Sequence, residues 1–386
     1  MLESDLYYIY IDTKIKGTIE QLIDYFQADV FNANACVCIY FKYYKEIEKY
    51  IVKAFAQKKI LFKFIKKNSD LVLIPNKVVF YLFNAQSNCK LVARRDLTHI
   101  FVTHGESHKL ASIKPIIRIY DFVISSGQVG IERYLKAGIF NQQDIEFSNK
   151  VIPMGNTFIG QHHYIYQKTA DAYLYAPTWE GGVPNENYSS LGLGIQSALI
   201  TCLQQNSIRT LYLQPHPNLG HRDQSYRHRL LALIADLKKS KIQVKIVKSR
   251  ITLTDYWYFK GCELIPKYQM DMHIAGAIVD ISAMEMQLIH SHIPTDVIYS
   301  IDALNNLIIP KKISALYSAD YAVSAPQSVV LDVQRRLKMI EQQYDYLISY
   351  YDESLQVMTF KQRIEWLCTF TTQQRLQQSL QSSERY

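Results

Sequence analysis

The sequence predicts an α/β protein built from two Rossmann-like domains, residues 1–165 and 166–326, followed by C-terminal helices over 327–386. Three observations predict it. Short apolar β-like runs alternate with helix-period segments in two successive series, the signature of parallel sheets covered on both faces. The chain has 386 residues, which suits two domains of roughly 150 residues each. Beyond 327 the strand signal stops and only a helical period remains.

Taken in order, LYYIYI at 6–11 reads as a strand and 17–27 as a helix. VCIYF at 37–41 is the next strand and 43–57 the next helix. ILFKFI at 60–65, VVFYLF at 78–83 and THIFVTH at 98–104 continue the buried strands. The second series begins with AYLYAP at 172–177, from which the polar loop EGGVPNENYSS leads to a helix at about 190–205. TLYLQP at 210–215, a helix over 224–239, QVKIV at 243–247, AGAIVD at 275–280 and DVIYSI at 296–301 complete it. The terminal helical segments are expected to pack back across both domains, or to offer a partner-binding helix. Two α/β domains facing a cleft would bind ligands there, outside the carboxyl ends of their strands.

Composition narrows the class. Apolar residues at 48% and charged residues at 20% are enough to fill cores and exclude a disordered chain. Gly is used only 14 times and Tyr 29 times, which excludes glycine-rich repeats. No run approaches the ~18 apolar residues of a membrane span, and MLESDLYYIYID lacks the order of a signal peptide, so a cytoplasmic chain is expected. The cysteines Cys36, Cys38, Cys89, Cys202, Cys262 and Cys368 form no C-x-x-C and read as buried reduced thiols, Cys36 and Cys38 on one strand face.

The net charge of +8 is concentrated. Nine lysines and two glutamates fall between Lys42 and Lys67, so that segment carries nearly all of it. Lys42, Lys45, Lys49 and Lys53 recur at helical spacing, opposite Tyr40, Tyr43, Tyr44, Ile47 and Ile51. They form either a solvated helix face or a patch attracted to anionic lipid headgroups or a polyanionic acceptor. No nucleic-acid recognition motif accompanies the charge, so a nucleic-acid partner is not expected.

Absent motifs exclude chemistries. There is no G-x-x-x-x-G-K-[ST] and no G-x-G-x-x-G after the first strand, which argues against P-loop NTPases and nicotinamide or flavin enzymes. No D-x-D and no G-x-S-x-G occur, so neither a carboxylate-held metal–nucleotide site nor a hydrolase elbow is supported. What remains are polar groups leaving predicted strands. His104, Gly105, Glu106, Ser107, His108 and Lys109 follow IFVT; the imidazole suits a general base and the lysine a phosphate, or the histidine is a structural loop residue. Pro215 and Pro217 bracket His216, either aiming its side chain or ending the strand. Pro177, Thr178, Trp179, Glu180, Gly181 and Gly182 leave a third strand. Asp280 ends a fourth, and Ser282 opens a helix as an anion site or an ordinary cap.

The ordered set H-G-x-x-x-x-K, Y-A-P-T-W, a strand ending in H-P, and D-I-S-A resembles the CDP-glycerol glycerophosphotransferase family of teichoic-acid and capsule polymerases over roughly 98–300. VIPMGN at 151–156 stands where that family has a G-x-P-R segment. The resemblance implies a GT-B-like fold with an N-terminal acceptor domain and a C-terminal nucleotide-donor domain. It implies that His104 deprotonates the acceptor hydroxyl and His216 binds or protonates the pyrophosphate. Gly105, Ser107, Lys109, Thr178, Asp280, Ser282 and Ala283 would hold the donor, with Trp179, Glu180 and Gly155 in possible donor loops. The sequence departs from the pattern where Glu180 replaces an expected Arg, where Ala283 lacks a hydroxyl, and where Gly155-Asn156-Thr157 lacks an Arg.

The expected activity is transfer of glycerol-phosphate, or a similar polyol-phosphate, from a CDP donor to a hydroxyl of a capsule or teichoic-acid-like polysaccharide, releasing CMP. The alternatives are a GT-B glycosyltransferase using a CMP- or UDP-sugar and a non-catalytic scaffold of a capsule-assembly complex. No metal ligand cluster is visible; Mg²⁺ carried with the nucleotide is the one cofactor contemplated. Expected partners are the nucleotide donor, a saccharide acceptor and an anionic membrane surface or capsule-assembly proteins, with peripheral attachment to the inner face of the membrane.

Overall fold

The first strand, β1 (Tyr7–Ile11), sets the pattern for the unit built around it. The computed structural model describes residues 7–56, 58, 60–103, 106–300, 307–313 and 333–383. They divide into unit 1 (1–105, 113–160 and 348–386) and unit 2 (106–112 and 161–347). In unit 1, β1 is followed by β2 (Cys36–Lys42), β3 (Phe62–Ile65), β4 (Val78–Tyr81), β5 (Thr98–Phe101), β6 (Phe122–Ser125) and β7 (Val151–Pro153). They pair in parallel in the order β3-β2-β1-β4-β5-β6-β7. Along β1, Tyr7, Ile9 and Ile11 join one apolar core with Ile19, Leu22 and Phe80, while Tyr8 and Tyr10 join another with Tyr40, Tyr81 and Tyr120. Period-two alternation with apolar residues on both faces is what a doubly covered sheet demands. The abundant tyrosines serve this sheet because each can bury a ring and give its hydroxyl a partner. Tyr40 donates to the Val72 carbonyl at 2.7 Å, and the Tyr81 hydroxyl lies 2.9 Å from His99 Nδ1.

Three expectations are corrected here. Cys36 and Cys38 do not share a face: the register slips between Tyr7 and Tyr8, which pair with Cys36 and Cys38, so Val37 is an extra residue. Cys36 packs against one core and Cys38 lies in the other. Nor are all six thiols buried, since Cys89 is exposed and Cys36 and Cys262 are half-buried. The lysine stripe is also broken up. The helix covers only Glu48–Ala56, because Tyr43 still donates to the Ile65 carbonyl at 2.9 Å and extends the β2–β3 ladder. Lys42 ends β2, Lys45 sits in the turn, and only Lys49 and Lys53 ride the helix, exposed. The four lysines therefore do not line one helix face.

Unit 2 has β8 (Tyr164–Tyr166), β9 (Ala172–Ala176), β10 (Thr210–Leu213), β11 (Gln243–Lys248), β12 (Glu263–Pro266), β13 (Met272–Ile274), β14 (Gly276–Asp280) and β15 (Thr295–Ile298). Six of these pair in parallel in the order β12-β11-β10-β9-β14-β15, and β13 pairs with β8. The helices Gln196–Gln205 and Ser225–Lys239 bury Leu199, Leu203, Leu230, Leu233 and Leu237 against this sheet. From β9 the chain builds outward through β10, β11 and β12, then returns to the other side of β9 with β14 and β15. The strand order reverses between β9 and β14, the place where open α/β sheets hold ligands.

Each C-terminal helix packs within its own unit. Val333–Leu347 lies in unit 2, where Arg336 Nε is 2.9 Å from Asp296 Oδ1. Phe360–Ser383 lies in unit 1, and its Ile364, Leu367 and Cys368 enter the core with Ile152 and Met154. Among the described residues no helix is long and apolar enough to cross a membrane.

Candidate functional site

The candidate site is the reversal point of the unit 2 sheet. Here β9 runs into Pro177 and Thr178, while β14 ends at Asp280 and hands over to Ser282 and the helix Ala283–His290. Ser282 is in extended conformation at the helix start; its carbonyl accepts from the Glu285 amide at 3.2 Å, while its side chain makes no capping bond. Its hydroxyl is buried and makes no hydrogen bond within the described protein.

Asp280 is fully buried. Its Oδ2 accepts from the Thr178 amide at 2.7 Å and the Ser190 amide at 3.1 Å, tying the loop after β9 to the end of β14. Its Oδ1 has no partner. Lys109 comes from the short segment 106–112, which belongs to unit 2, and its Nζ donates to Thr178 Oγ1 at 2.8 Å. The Tyr188 hydroxyl accepts from the Leu110 amide at 3.3 Å, and its ring lies 5.7 Å from the Lys109 ammonium. Burial pushes the Asp280 carboxyl up to about 7, against the Ser190 hydroxyl, the Thr178 and Ser190 amides and the Lys109 charge. Burial also pulls the Lys109 ammonium down to about 8, while Asp280 and Glu186 hold it up. Both groups therefore change charge close to neutrality, a property concentrated at functional sites.

His216 follows β10, the strand beside β9, and its amide donates to the Pro177 carbonyl at 3.2 Å. Its Nδ1 accepts from the Asn218 amide at 3.1 Å, so the neutral ring carries its proton on Nε2. The ring stacks on Trp179 with centroids 5.9 Å apart and planes inclined by 13°. Glu180 holds this loop in place. Its buried carboxylate accepts from the amides of Gly220 (3.0 Å), Arg222 (2.8 Å) and Asp223 (3.0 Å), and the Arg222 guanidinium donates to its carbonyl at 2.7 Å. Burial alone would raise this carboxyl, but the amides of Asp223, Gly220 and Arg222 outweigh it and hold it below the usual range. Gly181 permits the turn: its φ is +73°, and a Cβ there would stand 2.3 Å from the Glu186 carbonyl oxygen. Glu180→Ala is expected to cost about 3 kcal/mol by orphaning three amides. Glu180→Gln should cost less, since one oxygen can still serve Arg222 and Asp223. Thermal unfolding of the two variants checks the order.

The structure thus brings together Lys109, Thr178, Asp280, Ser282 and Ala283, with Trp179, Glu180 and His216 on the adjoining loops. Ser107 is buried with its hydroxyl 3.1 Å from that of Ser112 in its own segment. His104 and Gly105 lie outside the described residues. Gly155 belongs to unit 1, where its lack of a Cβ leaves room for the Tyr350 ring, and Lys42, Lys45, Lys49 and Lys53 also belong to unit 1. Sequence reasoning missed Ser190, Tyr188 and Tyr175, whose hydroxyl is 2.5 Å from that of Ser190. The only signal was the polar run NENYSS, which reads as an ordinary loop. Among the described residues no group of three His, Cys, Asp or Glu side chains is placed to hold a metal.

No protein-family profile and no curated protein matches the chain. Solved structures do resemble it. The UDP-GlcNAc 2-epimerase of Methanocaldococcus jannaschii, in complex with UDP-GlcNAc and UDP, is 13% identical over 94% of this chain and 99% of that one, with a TM-score of 0.45. The UDP-GlcNAc 2-epimerase of Neisseria meningitidis bound to UDP-GlcNAc is 9% identical over 93% and 98%, also at 0.45. A glycosyltransferase from Rickettsia africae is 12% identical over 99% and 98%, at 0.39. Such likeness concerns the fold alone. The fold class is α/β, as expected: two Rossmann-like units, each built on a parallel sheet, with helices at the C-terminus. The resemblance to CDP-glycerol glycerophosphotransferases is overturned, because no such family's profile matches the chain. The CDP-glycerol donor and the teichoic-acid and capsule acceptors lose their support with it. The physical counterpart is Glu180: where the resemblance expects a phosphate-binding Arg, a buried carboxylate is spent on three backbone amides.

Proposed function

We propose that this chain is a GT-B-type glycosyltransferase that holds the phosphates of a UDP- or CMP-sugar at the carboxyl ends of β9 and β14. One observation carries the reading. At the reversal point of the unit 2 sheet, a lysine bonded to a threonine hydroxyl accompanies a buried, unsatisfied serine hydroxyl at a helix N-terminus. In glycosyl transfer an acceptor oxygen bonds to the anomeric carbon as its bond to the phosphate oxygen breaks, and the nucleotide leaves with the bonding electrons. Lys109, Thr178, Ser282 and the amides opening the helix Ala283–His290 would stabilise that departing charge. His216 would donate to it from Nε2. Asp280 acts differently, fixing the Thr178 and Ser190 amides and the Lys109 proton. His104 is the proposed base on the acceptor hydroxyl.

Calorimetric titration with UDP, CMP and inorganic phosphate, followed by turnover assays with UDP-GlcNAc and CMP-sugars plus saccharide acceptors, tests this. Nucleotide binding with acceptor-dependent nucleotide release supports it. Sugar epimerisation without net nucleotide release, or no nucleotide binding at all, overturns it. The affinity for UDP is expected to fall as pH rises from 7 to 9. Asp280 acquires negative charge through about 7, and Lys109 loses its proton through about 8. Asp280→Asn should remove the earlier part of that fall. The stability signs are opposite for the two groups. Folding raises the Asp280 pKa, so its contribution is full at low pH and lost as pH rises through about 7. Folding lowers that of Lys109, so its contribution is full at high pH and lost as pH falls through about 8.

A further inference from the structure

We infer that the helix Leu253–Tyr258 of unit 2 is a docking face for an anionic lipid bilayer. Its side chains divide sharply. Leu253, Tyr256 and Trp257 stand at i, i+3 and i+4, on one face, and are 83%, 60% and 84% exposed. A tryptophan and a leucine left this open contribute almost nothing to folding, and together with the tyrosine they form an apolar and aromatic surface with an unburied payload. The opposite side fixes the helix. Asp255 is buried, accepts from the Thr252 amide and hydroxyl, each at 2.7 Å, and pairs with Lys248. Phe259, directly after the helix, is buried in the unit 2 core. The aromatic face is therefore presented by a clamped element.

Charge complementarity selects the occupant. Lys260 follows the helix, and its carbonyl accepts from Lys238 Nζ at 3.0 Å, which brings the end of the helix Ser225–Lys239 alongside. Lys238, Lys239, Lys241 and Lys260 are all exposed. The nearby acids are engaged: Asp255 with Lys248, Asp236 with Lys239 at 3.1 Å, and Glu263 with Lys245 at 3.0 Å. Trp and Tyr with an aliphatic neighbour settle at the headgroup level of a bilayer, and surrounding lysines gain from anionic lipid. The lysine-rich segment belongs to unit 1, and Lys49 and Lys53 on its helix have no exposed aromatic ring among the residues of Glu48–Ala56.

Sedimentation of the full chain with vesicles of phosphatidylcholine alone, or mixed with phosphatidylglycerol, tests the inference. Binding is expected with the mixed vesicles only, with a blue shift of tryptophan emission that is absent in Trp257→Phe. Each of Lys238→Gln, Lys241→Gln and Lys260→Gln should weaken partitioning by up to about fivefold. Leu253→Ser with Trp257→Ser should reduce it at least tenfold while thermal unfolding stays unchanged, since both side chains are exposed. Partitioning that survives the double variant, or that is lost only when Lys45, Lys49 and Lys53 become Gln, overturns the inference. So does self-association of the chain abolished by Trp257→Ser without vesicle binding, which would assign the face to a second copy. Nucleotide binding by the double variant is expected to be unchanged, so failure here and failure of the proposed activity are read separately.

Discussion

Arg336→Ala is expected to destabilise unit 2 by about 3–5 kcal/mol, among the largest effects any single substitution in this protein should have. The guanidinium lies 2.9 Å from Asp296, with the side chains only 2% and 5% exposed, and it joins the helix Val333–Leu347 to β15. Truncation removes the Arg336 charge and its hydrogen bond from a carboxylate held in the interior. Replacing both partners, Arg336→Met with Asp296→Leu, should recover most of the loss, since apolar groups of similar volume carry no desolvation penalty. Equilibrium urea unfolding of the full chain reads this in the transition that carries Trp179. A double variant as unstable as the single one would show that packing of the helix, rather than stranded charge, is responsible.

Lys109→Met should lower the affinity for UDP by about ten- to a hundredfold, the worth of a charge-assisted hydrogen bond to phosphate. The same substitution removes the cation that holds the Asp280 carboxyl down, so Asp280 should stay protonated to higher pH. The pH dependence of the remaining UDP binding ought then to move upward, a signature that simple loss of structure would not produce. Calorimetric titrations across pH 6–9, with circular dichroism confirming the fold, measure both. Undiminished UDP affinity would place the phosphates away from the β9–β14 reversal.

Much of this architecture was legible because long apolar runs have little choice. β1, β9, β10 and β14 each follow from three to five consecutive buried residues, and the helix Ser225–Lys239 from its leucine spacing. β6, β7, β8, β12 and β13, of three or four residues each, were passed over; strands as short as β4, β5 and β10 were read only from the apolar stretches that extend beyond them, VVFYLF, THIFVT and TLYLQP. The bulge at Val37 was invisible, since one inserted residue leaves the composition of a strand unchanged while reversing the side its neighbours face. In the site, Thr178, Asp280 and Ser282 were legible as polar residues ending buried strands. Ser190 and Tyr188 were not, because their roles depend on a loop folding back to Asp280 and Leu110. Glu180 read as a departure from a pattern; only the amides of residues 220, 222 and 223 show what its charge does.

The chain's excursions between units bear on how the protein is made. Met154 bridges to Tyr350, the Gly155 amide donates to the Ser349 carbonyl at 2.9 Å, and Ser349 donates to Ser126 at 3.0 Å. Unit 1 therefore starts first at the ribosome yet closes last, holding Ile152 and Met154 open until residues beyond 347 emerge. At ~5–20 residues per second that interval is on the order of ten seconds or more. Late in that interval, once β15 has emerged, unit 2 can complete its sheet, and Lys109 and its segment have already been synthesised. A nascent chain arrested just before residue 348 should thus carry the whole of unit 2 while unit 1 still lacks its last segment.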